Sequence, residues 1–167
     1  MKIGTHDGKR LGRPKFEWVF PNGFVIVEDT REQNGLFSRK PPKGLTITRR
    51  KLDVGDYSIL GFENSITIER KNVTDLYMSL GKERDNFSRR IEKMAGMERA
   101  YLLVEGNEDD VLSFQPFSQL HPNVVRSSLA SIEVKTPVKV HFGFPRREAE
   151  RWVIDILLRF YKWKRKG

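Results

Sequence analysis

The chain opens its ordered part with short apolar runs rich in β-branched residues, and only later shifts to apolar residues recurring every three or four positions. Phe24 to Val27 is apolar and turns acidic at Glu28-Asp29, which predicts a buried strand ending on polar residues. A loop holding Gly35, Pro41, Pro42 and Gly44 leads to a second strand, Leu45 to Thr48. That strand continues through Arg49-Arg50-Lys51 to a turn at Gly55-Asp56. Tyr57 to Leu60 and Ser65 to Lys71 read as two more strands, closed into a hairpin across Gly61-Phe62-Glu63-Asn64.

The period then lengthens. Thr74 is placed to cap a helix that begins at Asp75 and carries Leu76, Tyr77 and Leu80. Past Gly81, Phe87, Ile91 and Met94 form one apolar helical face, with Arg84, Arg89, Arg90 and Lys93 around the rest. Tyr101 to Val104 is a buried strand stopped by Glu105-Gly106, and Val124, Val125, Leu129 and Ile132 have helical spacing. Val138 to Phe142 alternates as a strand, and Arg146 to Trp163 is amphipathic, offering Trp152, Ile156, Leu157, Phe160 and Tyr161 to a core. Strands followed by alternating helices and strands predict an α/β fold, a mixed central β-sheet flanked by α-helices. Residues 23–167 read as one domain without internal repeats. Residues 1–22 read as a flexible basic arm broken by Gly4, Gly8, Gly12 and Pro14, joining the domain near Phe16, Trp18 and Phe20.

Composition narrows the function. In 167 residues there are 31 Lys plus Arg against 22 Asp plus Glu, a net charge of +9, and no Cys. The absence of thiols excludes a disulfide scaffold, Cys-ligated zinc, iron–sulfur chemistry and thiol catalysis. No run approaches the roughly 18 apolar residues of a membrane span, and the N-terminus lacks the apolar stretch of a signal peptide. The expectation is an intracellular protein, cytoplasmic or nucleoid-associated in a prokaryote or virus and nuclear in a eukaryote. Its surplus positive charge suits a polyanion.

Chemistry concentrates at one strand end. Alternation puts Thr67, Glu69 and Lys71 on one face of their strand and Ile66, Ile68 and Arg70 on the other. A carboxylate and an ammonium two residues apart converge on one oxygen-rich site, suited to a hard cation and a phosphate. Glu-x-Lys alone is usually a solvated face. Asp56 at the neighbouring strand, and Asp29 with Glu32 at the end of the first, supply the further acids a Mg²⁺ site would use. Arg70, carried inward with two isoleucines, needs an acid partner, and Glu32 and Asp75 are the candidates.

The ordered set Asp29-x-Arg31-Glu32, Gly55-Asp56 and Glu69-Arg70-Lys71, with Asp75 four residues on, resembles the nuclease motif of the XPF-type structure-specific endonucleases. Those are relatives of the restriction-endonuclease fold. The likeness runs from about Val25 to Tyr161 and takes in Tyr101-Leu102-Leu103-Val104-Glu105-Gly106. It implies a restriction-endonuclease-like core and a catalytic set of Asp29, Glu32, Asp56, Glu69, Arg70 and Lys71. Within that set Asp56, Glu69 and the Arg70 main-chain carbonyl would ligate the metal, with Asp29 as a further acid. The metal implied is Mg²⁺, with Mn²⁺ as a substitute. Lys71 would position the attacking water or offset charge on the scissile phosphate, while Arg31 and Asp75 would tie the site together with Arg70. Arg84, after the helix break at Gly81, matches a DNA contact.

The implied reaction is hydrolysis of a phosphodiester in branched, flap or fork DNA, leaving 5′-phosphate and 3′-hydroxyl ends. Family members usually carry a tandem helix-hairpin-helix module, of which these 167 residues hold no counterpart. A separate DNA-binding partner is therefore expected, alongside homodimer or heterodimer formation through the C-terminal helices. Two other classes compete. One is a non-catalytic DNA-binding or scaffolding subunit, and the other is a restriction or recombination nuclease acting on plain duplex. His6, His121 and His141 lack ligand spacing, and the acidic run Glu105, Glu108, Asp109 and Asp110 reads as a solvated loop.

Overall fold

The computed structural model describes residues 5–6, 9–10 and 17–167. Within the expected arm, Thr5–His6 (β1) pairs antiparallel with Lys9–Arg10 (β2). Phe16 and the arm's other remaining residues up to it lie outside the described part. Trp18 and Phe20 do join the domain: Trp18 Nε1 donates to Asp155 at 2.9 Å, and the Phe20 ring stacks between those of Trp18 and Phe24.

Six strands form the central sheet: Val25–Asp29 (β3), Thr46–Arg50 (β4), Tyr57–Ile59 (β5), Ile66–Asn72 (β6), Arg99–Glu105 (β7) and Lys139–Phe142 (β8). Their order is β4-β3-β5-β6-β7-β8. β5 runs antiparallel to both β3 and β6, whereas β3–β4, β6–β7 and β7–β8 are parallel, so the sheet is mixed as expected. The helices are Val73–Leu80 (α1), Arg84–Ala95 (α2), Glu108–Val111 (α3), Pro122–Lys135 (α4) and Arg146–Lys164 (α5). None is long and apolar enough to cross a membrane.

Strand alternation splits the core in two. Leu103 of β7 joins Ile26, Tyr57, Ile59, Ile66 and Ile68 beneath α5, which contributes Ala149, Val153, Ile154 and Leu157. Its neighbours Leu102 and Val104 turn to the opposite face, against Leu76 and Leu80 of α1, Phe87 and Ile91 of α2, and Val125 and Leu129 of α4. The apolar stripes of 124–132 and 152–161, which could have paired two subunits, are thus largely used in the chain's own core.

Two local readings change. α1 starts at Val73, with Asn72 and not Thr74 as its cap. Asn72 is extended, and its side-chain oxygen accepts from Asp75 N at 2.8 Å, which a helical Thr74 cannot do. The acidic run after β7 contains the short α3, capped by Asn107. His121 is the N-cap of α4, accepting from Asn123 N at 3.1 Å.

Gly55 sets how closely the β5 end approaches β6. It sits at φ +81°, and a Cβ there would meet Thr67 Oγ1 at 1.9 Å. Thr67 Oγ1 donates to Val54 O at 2.9 Å, and Asp56 N donates to Ile68 O at 2.8 Å, fixing the turn on both sides. Gly55→Ala should combine left-handed strain with a clash that β6 cannot relieve, costing about 3 kcal/mol. In a domain of this size that lowers Tm by roughly 6–12 °C. Thermal unfolding followed by circular dichroism checks it, and an unchanged Tm would mean that the turn has slack.

Candidate active site

The end of β3, the start of β5 and the second half of β6 lie side by side, and each brings an acid. Asp56 precedes β5 by one residue. Its N–H is fixed by Ile68 O, its carbonyl accepts from Asp29 N at 2.8 Å, and its Oδ2 accepts from Arg70 N at 2.7 Å. Backbone bonds to two neighbouring strands therefore hold this carboxylate, and its Oδ1 receives no hydrogen bond from the described residues.

Glu69 is 1% exposed. Its Oε1 accepts from Arg90 Nη1 at 2.6 Å and lies 3.5 Å from Lys71 Nζ, while its Oε2 has no hydrogen-bond partner. A buried carboxylate oxygen left unpaired costs stability, so this atom needs a ligand to satisfy it. Lys71 shares the face of Glu69, as alternation predicts, and its ammonium lies over the Phe87 ring of α2, 5.6 Å from the centroid.

Burial first, and then the neighbouring Glu69 charge, push the Asp56 carboxyl up to about 8, the bond from Arg70 N only partly opposing them. The two neighbouring carboxylates thus present one oxygen open and another orphaned, the kind of oxygen donors a hard divalent cation takes. Among the described residues no three acidic or histidine side chains gather as a metal-binding group.

Asp29 does not extend the pair, because its oxygens are already engaged. Oδ1 accepts from Arg31 N at 2.8 Å and Arg31 Nε at 2.7 Å; Oδ2 accepts from Arg31 Nη2 at 3.0 Å and Leu52 N at 2.7 Å. Burial alone would raise this carboxyl, but those four bonds outweigh it and hold the carboxyl below the usual range. Asp29 acts instead as a brace: it supports Asp56 through its backbone N–H and fixes Arg31, whose side chain is 55% exposed.

Arg70 takes the opposite face, as its neighbours require. Its Nε donates to Glu105 Oε2 at 2.7 Å, its Nη1 to Asn34 O at 2.8 Å, and Glu32 Oε1 lies 3.5 Å from Nη1. Glu32 is thus one of its acids and Glu105 the closer one. Asp75 is not: it lies exposed in the first turn of α1. The residue that sequence spacing placed with Arg70 follows the chain into a helix leading away from that face.

The same loop is clamped by Arg49, which donates to the carbonyls of Asp29 and Thr30, and by Arg146 of α5, which donates to Asn34 O at 3.2 Å. Glu28, also buried, lies among Arg49, Tyr57 and Gly35 and has an unpartnered Oε2; burial raises its carboxyl against the pull of Arg49. Arg84 is exposed at the α1–α2 turn, donating weakly to Leu80 O at 3.4 Å, and lines a cavity of about 420 Å³ with Ser127, Ser128 and Ser131 of α4. Arg90, not Arg84, reaches the carboxylates. Sequence spacing missed both Arg90 and Glu105. The signal for Glu105 was its position two residues beyond Leu103, on the face that Arg70 occupies one strand over.

The pH response follows from Asp56. In the unfolded chain this carboxyl ionises near its ordinary 3.8 and in the metal-free fold near 8, so the stability it contributes is complete below pH 3.8 and is lost as pH rises toward 8. In EDTA, the Tm of the native protein should fall between pH 5 and 8 more steeply than that of Asp56→Asn. At pH 8 the variant should melt higher by at least about 2–4 °C, the shift that 1 kcal/mol gives at this size. Parallel Tm–pH curves for the two proteins would place Asp56 in water.

Comparison with known proteins agrees with this geometry. The family model described as the ERCC4 domain matches residues 21–156. Among solved structures, XPF from Aeropyrum pernix superposes with a TM-score of 0.63 at 18% identity, over 80% of this chain and 63% of that one. A second structure, XPF from Aeropyrum pernix in complex with DNA, gives 0.63 at 18% identity, over 84% and 66%. The chain thus spans less than two thirds of the length of either. No curated protein matches it. The structural likeness shows a shared fold, and the family model covers most of the chain, including β3, the Gly55-Asp56 turn and the Glu69-Arg70-Lys71 strand end. The chain belongs to the ERCC4-domain family, and its α/β core has the XPF nuclease-domain fold.

Proposed function

We propose that this domain is a Mg²⁺-dependent DNA endonuclease, with Mn²⁺ able to substitute, that hydrolyses phosphodiesters to 5′-phosphate and 3′-hydroxyl ends. The observation that carries the reading is the buried, half-orphaned Glu69 beside Asp56, with Lys71 Nζ 3.5 Å from the same carboxylate. Asp56 and Glu69 would hold the cation, joined by the Arg70 carbonyl. When bound, such an ion lowers the pKa of water and neutralises charge developing on a phosphate.

The chain's own groups do the rest. Lys71 stands 15% exposed, and its ammonium, kept near Glu69, donates to a non-bridging phosphate oxygen. Arg31, locked on Asp29, also donates from Nη2 to Leu52 O at 2.7 Å. Arg70, Glu105 and Glu32 hold the β6 end from behind, so the main chain between Glu69 and Lys71 does not shift when charge develops. Exposed Arg84 and Arg89, with the net +9, supply a surface for DNA phosphates. The motif resemblance supports branched, flap or fork DNA as the substrate class.

Labelled flap, fork, four-way-junction and duplex DNA incubated with Mg²⁺, Mn²⁺ or EDTA tests the proposal. Cleavage of branched DNA is expected with either metal and none in EDTA. Lys71→Ala and Glu69→Gln should each lower the rate by roughly 10²–10⁴-fold while changing DNA affinity by less than about threefold. Metal-independent binding without product would leave a non-catalytic subunit, and equal cutting of plain duplex would reassign the substrate. The logarithm of DNA affinity should fall linearly with that of salt concentration, by about 0.9 for each phosphate contacted.

A further inference from the structure

Arg90 is the residue whose position the proposed reaction does not yet use. It lies on α2, its side chain is 42% exposed, and its guanidinium donates at 2.6 Å to a carboxylate that is 1% exposed. The pairing is unequal. Glu69 is fixed by the sheet on β6, whereas Arg90 hangs from a surface helix on a long side chain with solvent behind it. Burial works against the Arg90 charge, and Glu69 more than offsets that, with a further contribution from Asp56. Lys71, 3.5 Å from the same oxygen, is only 15% exposed and packed on Phe87, so it has less freedom to leave. Of the two cations on Glu69, Arg90 is the more exposed and has more solvent to withdraw into.

We propose that Arg90 is a place-holder for the divalent cation, pairing with Glu69 while the site is metal-free and releasing it to contact a DNA phosphate when metal binds. The proposal rests on the Asp56–Glu69 cation site above. A buried carboxylate pair without metal lacks counter-charge, and Arg90 supplies it; a dication in the same place makes the guanidinium redundant and repels it. Because both cannot neutralise Glu69 fully, Arg90 and the metal compete, and removing one strengthens the other. Once displaced, the guanidinium remains within side-chain reach of the strand ends, where a bidentate phosphate contact replaces the lost carboxylate.

The test is Mn²⁺ binding by the full chain, followed by electron paramagnetic resonance or calorimetry, in the native protein, Arg90→Gln and Arg90→Lys. Arg90→Gln should bind Mn²⁺ roughly 5–50-fold more tightly, yet cleave DNA more slowly at saturating Mn²⁺. In EDTA it should melt below the native protein, and saturating Mn²⁺ should narrow that gap. Arg90→Lys, which keeps the charge and guards against a folding defect, should bind Mn²⁺ within about threefold of native. A merely structural arginine would lose metal affinity and activity together. Unchanged or weaker Mn²⁺ binding by Arg90→Gln, in a native protein that does bind Mn²⁺, would overturn the place-holder alone. Absence of Mn²⁺ binding in all three would overturn the cation site itself.

Discussion

Asp56 and Glu69 are carboxylates on adjacent strands, pressed into partly dry surroundings where their charges repel. Folding tolerates the pair because two cations and a backbone donor meet it: Arg90 at 2.6 Å and Lys71 at 3.5 Å from Glu69, and the Arg70 main-chain N–H at 2.7 Å from Asp56. The arrangement is still incomplete, as the unpaired Oε2 of Glu69 shows. A protein selected for stability alone would replace such a pair with apolar residues of similar volume. Its retention at the junction of three strands is the physical basis for reading the region as a site and not as a surface.

The fold can carry that strain because backbone bonds hold the acids independently of their charges. Asp56 is tied at its amide by β6, at its carbonyl by Asp29 N, and at its carboxylate by the Arg70 amide. Asp29 gives up its own ligand capacity for this purpose, since Arg31 and Leu52 use both of its oxygens. On the other face Arg70, only 10% exposed, is matched by Glu105 and Glu32. The strand end is thus clamped from both sides.

Much of this was legible in the sequence where the cause is local. Period-two alternation on β6 separates Glu69 and Lys71 from Arg70 correctly, because side-chain direction in a strand depends on position alone. Gly55 marks the turn because only a residue without Cβ fits against Thr67. What spacing could not supply was topology. Glu105 is 35 residues from Arg70 and becomes its neighbour only when β7 lies parallel to β6. Asp75, five residues away, looked nearer but is carried off by α1. Likewise Arg84, Arg89 and Arg90 are equivalent by composition, and only the way α2 lies across the strand end selects Arg90.

That selection links the site to the helical layer. Phe87 and Ile91 bury the inner face of α2 against Leu102 and Val104, and this packing fixes the helix rotation. Arg90, between those two anchors in sequence, is then set where its guanidinium reaches Glu69 of β6. Phe87 adds a second constraint, because its ring carries the Lys71 ammonium. The apolar contacts of α2 thereby determine where both cations of the site stand. A substitution that rotates this helix by a fraction of a turn would move Lys71 and Arg90 together, so electrostatics at the carboxylate pair depends on hydrophobic packing one layer away.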